Sequence, residues 1–160
     1  MATETTSVSV LTADDLLKDW QRNRRLTRHT IEAFPEDKLF QFSIGGMRPF
    51  AEMAAELIGM TAPVVGGVST GNWEEYKAAK PTTKNELLRL WDEQTVELDT
   101  KFSQIPPSRF SQVEKVFGQW ENSGTATIQY AIENEIHHRG QGYVYLRALG
   151  IEPPPFWKRD

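Results

Sequence analysis

The chain has 160 residues, 39% of them hydrophobic and 25% charged, with five Trp, eight Phe and four Tyr, a balance that suits one packed core and excludes a disordered chain. It contains no cysteine, which rules out disulfides, thiolate metal sites and a cysteine nucleophile, so any metal must be held by His, carboxylate, amide or water. The formal net charge of −4 gives no electrostatic basis for binding DNA, RNA or anionic lipid.

The opening MATETTSVSVL lacks the basic start and apolar run of a secretory signal, and no stretch approaches about 18 uninterrupted apolar residues. These features predict a cytoplasmic, all-helical domain over residues 1–160 with no membrane association, residues 1–11 forming a flexible tail and 151–160 a Pro-rich one. Thr12-Ala13-Asp14-Asp15 reads as a capping box opening a first helix. Leu16, Leu17, Trp20, Ile31 and Phe34 recur at helical spacing as far as Pro35, and Arg22, Arg25, Arg28 and His29 fall on the other, solvated face. Asn23 and Thr27 project onto the apolar stripe, where burial without a partner costs on the order of 1–3 kcal/mol, so they are expected to face an internal polar site. A Gly-Gly turn in FSIGGMRP precedes a second helix running from Pro49 to about Met60 or on through Pro63, with Met53, Leu57, Met60 and Val64 buried and Glu56 at the edge of that stripe. After the turn-rich GGVSTGN, residues 73–79 are expected to form a short helical piece. Thr83-Lys84-Asn85-Glu86 reads as a second capping box, and Leu87, Leu88, Trp91, Leu98, Phe102 and Ile105 mark a third helix up to Pro106-Pro107. Residues 106–123 suggest an extended crossover, and long links of that kind fit bundles whose neighbouring helices run parallel. A fourth helix should run from about Thr125 to Leu149, stopped by Gly150 and Pro153-Pro154-Pro155.

On the last helix Ala131, Glu135, His138, Gly142, Tyr145 and Leu149 share one side, and Asn134 lies one turn before His138. Polar groups therefore point inward. By itself, a histidine on an apolar helix face is more often a hydrogen-bonded core residue than a ligand. Glu135-Ile136-His137-His138 also has the Glu-x-x-His spacing of di-iron bundles, but such sites need two copies of it and the chain has one. Gly140 and Gly142 suggest close approach of another helix, within the bundle or across a homodimer interface, and Tyr143, Tyr145, Phe156 and Trp157 read as packing residues.

The run Asn134-Glu135-Ile136-His137-His138-Arg139-Gly140-Gln141, with Tyr145-Leu146-Arg147 and Gly150-Ile151-Glu152-Pro153-Pro154 behind it, resembles the C-terminal signature of the DinB/YfiT family. Met47-Arg48-Pro49-Phe50 resembles the family's second-helix start more loosely. The resemblance implies a four-helix bundle with long crossovers, in which the second helix gives one histidine and the fourth gives two to a divalent metal such as zinc or nickel. The corresponding positions here are Glu56, Asn134 and His138, and only His138 keeps the family's residue. An amide is a weaker ligand than imidazole for such ions, so a weakened or absent metal is expected, with Glu135 or His137 as further candidates. The alternative is a metal-free hydrogen-bonded cluster in which Glu56 holds a protonated His138.

Two functions follow from the resemblance. One is a divalent-metal-dependent transferase or hydrolase that activates a thiol or water nucleophile. The other is a non-catalytic bundle that has lost the metal and binds a small molecule or a partner. A homodimer is expected, and nucleic-acid binding is not, because the chain lacks a recognised DNA- or RNA-binding motif.

Overall fold

The computed structural model describes residues 10–160. The expected N-terminal tail lies outside the described residues except for Val10 and Leu11, which are exposed. In α1 (Ala13–Ala33) the Thr12 hydroxyl accepts from the Asp15 N–H while the Asp15 carboxylate accepts from the Thr12 N–H, the reciprocal box that the sequence predicts. A short α2 (Glu36–Gln41) follows, then α3 (Phe50–Thr70), which continues through Pro63 and stops at Gly71 with φ 77°. Helix α4 (Lys84–Phe102) has only half its expected box. Thr83 Oγ1 accepts from the Glu86 N–H, but the Glu86 carboxylate takes the Thr82 N–H instead. Beyond α5 (Pro107–Ser111), strands β1 (Val113–Val116) and β2 (Trp120–Ser123) pair antiparallel, Val116 opposite Trp120. Helix α6 (Gly124–Ala148) starts on a Ser123 side-chain cap. It ends in a Schellman motif, with the Ile151 N–H on the Leu146 carbonyl and the Gly150 N–H on that of Arg147. Gly150 supplies the left-handed φ of 75° that this motif requires.

Helices α1, α3, α4 and α6 form a ring in which each packs on two neighbours: α1 on α4 and α6, α3 on α4 and α6. One apolar cluster joins Ile31 and Phe34 to Phe50, Leu87, Trp91, Tyr145 and Leu146. The other joins Leu16 and Trp20 to Val64, Val68, Leu98, Phe102, Ile128 and Ile132. The starts of α1 and α6 therefore share one end of the bundle with the finishes of α3 and α4. Adjacent α3 and α4 run parallel, as do α1 and α6, so the 71–83 link between α3 and α4 has to cross the length of the bundle. By length and composition α3 could cross a bilayer, but 56% of its most apolar window is buried, which marks it as the bundle's core helix.

Three sequence expectations need correction. Residues 73–79 form no helix. They lie extended along α3, so closely that a Cβ on Gly59 would sit 2.3 Å from the Lys77 carbonyl oxygen. The 106–123 link is not an extended crossover: α5 and the hairpin fold within it, and it joins α4 and α6 at the same end of the bundle. Phe156 and Trp157 do not pack into the core; they are 60% and 75% exposed and stack edge-on against each other. Tyr145, by contrast, is fully buried.

The two α6 glycines also divide. A Cβ on Gly142 would lie 2.6 Å from the ring of Phe50, which is fully buried and stacked on Phe34, whereas one on Gly140 meets nothing. Gly142→Ala should therefore destabilise by about 1–3 kcal/mol through overpacking. Gly140→Ala should stabilise by roughly 0.5–1 kcal/mol through helix propensity. Urea unfolding of the two variants measures both signs.

Candidate functional site

Residues 134 and 135 are successive on α6, so their side chains point about 100° apart, and in a square bundle that angle separates two neighbours. The polar residues of α6 accordingly split into two seams, where a single inward face was expected. The first faces α1. Glu135, 1% exposed, accepts from Trp20 Nε1 at 3.2 Å and from Thr27 Oγ1 at 2.7 Å. The Arg139 guanidinium donates to Thr27 Oγ1 at 3.1 Å, to Asn23 Oδ1 at 2.9 Å and to the Asn23 carbonyl at 3.2 Å. Buried Arg24 donates to Thr95 Oγ1, Gln94 Oε1 and the Trp91 carbonyl and lies 4.1 Å over the Trp91 ring. Burial pushes the Glu135 carboxyl above the ordinary glutamate range, against the opposing pull of Arg24, Thr27, Arg139 and Trp20. Asn23 and Thr27 thus hydrogen-bond within a buried belt between the two apolar clusters, apart from Glu56 and His138.

The second seam faces α3. His138 Nε2 lies 3.3 Å from Glu56 Oε1, and its Nδ1 lies 3.1 Å from Gln141 Oε1. The other Glu56 oxygen is taken by Arg48, 2.6 Å away. Arg48 is placed by its own backbone: the Tyr145 hydroxyl donates to its carbonyl at 3.0 Å, and Pro49 next to it starts α3. Burial alone would raise the Glu56 carboxyl, but the hydrogen bond and charge of Arg48, with His138 adding, outweigh it and hold Glu56 below the usual carboxylate range. Asn134 Nδ2 points at the Met60 thioether, 3.2 Å away. His137 is exposed, with its Nε2 3.4 Å from Gln141 Nε2 and its ring 5.2 Å from that of His138.

Glu56, Asn134 and His138 therefore do come together between α3 and α6, while Glu135 and His137 stand apart from them. The residues present do not fit the divalent metal that the resemblance implies. One carboxylate is already bound to a guanidinium, the amide is turned to a thioether, and a single imidazole remains, a donor set far weaker than three imidazoles. Among the described residues no group of three or more His, Asp or Glu side chains is arranged to hold an ion.

Beside this seam opens a cleft of about 530 Å³. Glu56, Met60 and Val64 of α3 and Thr127, Tyr130 and Asn134 of α6 form its floor; Trp73, Glu75 and Tyr76 form one wall and Val116, Phe117, Gln119, Trp120 and Asn122 the other. Gly67 makes room for the first wall, since a Cβ there would lie 2.1 Å from the Trp73 ring. Arg109 fixes the second by donating to the Val68 carbonyl at 2.7 Å and pairing with Glu114 of β1. At the hairpin turn Phe117 has φ 48° and Gly118 φ 67°. The first is uncommon and costly for an aromatic residue. The Phe117 ring is held there by Trp73, 5.0 Å away, and Trp120, 6.4 Å away. The sequence places Arg48 only in the Met47-Arg48-Pro49-Phe50 start of α3 and gives no site role to the aromatic wall residues, which sit in segments without helical period.

A model of the DinB family matches residues 1–159. An uncharacterized protein of Bacillus subtilis strain 168, YjoA, is 28% identical over 95 residues, which span 58% of this chain and 61% of that protein. In crystal structures, a DinB-like protein from B. subtilis, also YjoA, superposes with a TM-score of 0.75 at 18% identity, covering 91% of this chain and 99% of that one. A DinB-like protein from Bacillus cereus ATCC 10987 gives 0.71 at 16% identity, covering 89% and 95%. With the helix order, the long α3–α4 crossover and the α6 signature in place, the chain belongs to the DinB family.

Proposed function

We propose that this protein is a metal-independent DinB bundle that binds a small molecule in the cleft between α3, α6, the 72–81 segment and the hairpin. The observation that carries the reading is the Arg48 guanidinium on Glu56: the charge that the family resemblance assigns to a metal ion is supplied here by a side chain. The cleft beside it has the size and the mixture of aromatic walls and a few polar groups that small-molecule sites share. The other reading, a metal-dependent transferase or hydrolase, is favoured by one observation, the retained His138 with its Nε2 directed at Glu56. Elemental analysis of untagged protein purified without chelator separates them. The first reading expects well under one transition-metal ion per chain, and the second a stoichiometric ion that is lost on His138→Ala.

Restoring imidazoles should restore metal binding. Glu56→His with Asn134→His places three imidazoles around one point, since Asn134 and His138 are one turn apart and Glu56 already touches His138. Binding to the folded state alone stabilises by roughly 2.7 kcal/mol at a hundredfold excess over Kd. Melting curves with and without Zn²⁺ or Ni²⁺ should shift strongly for the double variant and little for the parent, and equal shifts would contradict the reading.

The Arg48–Glu56 pair also predicts a pH dependence. Because the folded state lowers the Glu56 pKa, the pair's contribution is fully present above the unfolded value of about 4.3 and is lost as pH falls through the lower folded value. The stability difference between the parent and Glu56→Gln, measured by urea unfolding, should shrink as pH falls below about 4.3.

A further inference from the structure

We infer that the ligand of the cleft is an organic cation with an apolar body, such as an aromatic or alkyl amine or a quaternary ammonium compound; the inference rests on the small-molecule-binding reading and specifies its ligand class. Five aromatic residues drawn from three separate segments line this one cavity: Trp73 and Tyr76 from the extended segment, Phe117 and Trp120 from the hairpin, and Tyr130 from α6. Three of them keep much of their surface in solvent, with Tyr76 and Trp120 44% exposed and Tyr130 53%. Packing alone does not explain such rings around a cavity, whereas a ligand covering them would remove that surface from water.

Ring faces carry negative electrostatic potential and attract cations, and the charged side chains of the lining have the same sign. They are Glu56 and Glu75, and the lining includes no Lys, Arg or His. Arg48 already neutralises Glu56 from behind the cleft. Glu75 stands in the wall between Trp73 and Tyr76, is exposed, and has no ion-pair partner among the described residues. An anion would meet no opposing charge here, and a neutral ligand would leave Glu75 unused. The strained backbone at Phe117 fits the same picture, since it holds a ring against Trp73 and Trp120 at the cavity wall.

Isothermal titration calorimetry with three probes of matched shape tests this: benzyltrimethylammonium, its uncharged isostere neopentylbenzene, and phenylmethanesulfonate. The cation should bind at least about fivefold more tightly than the neutral probe, and the anion most weakly. Glu75→Gln and Trp120→Leu should each weaken the cation by about two- to fivefold, the size of one partly exposed cation–π or charge contact. Both side chains are exposed, and Glu75→Gln changes only a charge in an extended segment, so loss of folding does not mimic its result. Equal or tighter binding of the neutral probe, or cation binding that neither substitution alters, would overturn the inference and leave the small-molecule reading standing. Failure of all three probes to bind would overturn both.

Discussion

The orientation of α6 is fixed by the cost of burying Arg24, Glu135 and Arg139 at mid-bundle, and the rest of the site follows from it. A buried charge left without partners costs several kcal/mol. Here each charged group has hydrogen bonds supplied from α1, α4 or the backbone, apart from one Arg24 Nη atom without a partner. Turning α6 by one residue would strip Glu135 of Trp20 and Thr27 and Arg139 of Asn23. With that face committed to α1, the 100° step between successive helical residues delivers Asn134 and His138 to α3. The belt thus positions the site without belonging to it.

At the site itself, the contest is between a metal and a guanidinium for the same carboxylate. A divalent ion concentrates charge and prefers several deprotonated donors at short range. A guanidinium is permanently charged, planar and content with one carboxylate. Once Glu56 stands where the family resemblance places a histidine, the arginine of the Met-Arg-Pro-Phe turn can answer its charge, and the Tyr145 hydroxyl holds that turn in reach. His138 then has a hydrogen-bonding partner on each ring nitrogen, Glu56 and Gln141.

The legible parts of the chain were those with a period or a cap. Thr12 with Asp15, the apolar stripe of α4 and Gly150 with its prolines all express local rules, and the structure keeps them. The C-terminal signature led directly to His138 and its neighbours. Arg24 escaped notice because its neighbours Arg22, Arg25 and Arg28 do lie toward solvent, and only tertiary partners on α4 make burial of the fourth tolerable. The walls of the cleft were illegible for a different reason. Trp73 and the Lys77–Ala78 backbone next to Tyr76 lie against glycines of α3, and Phe117 sits in a turn of positive φ, and neither device leaves a periodic trace. The two-seam character of α6 was within reach, since adjacent polar residues on a helix cannot share a face, but choosing which seam met which neighbour required the packing.

The central claim is that hydrogen bonds and the Arg48 charge hold Glu56 and His138 together without a metal ion. Long-range ¹H–¹⁵N spectra of the His138 imidazole, recorded on untagged protein before and after exhaustive chelation, test it directly. The account predicts superimposable ring-nitrogen resonances in the two states; a displacement of the Nε2 resonance on chelation, reversed by adding Zn²⁺ or Ni²⁺, would contradict it.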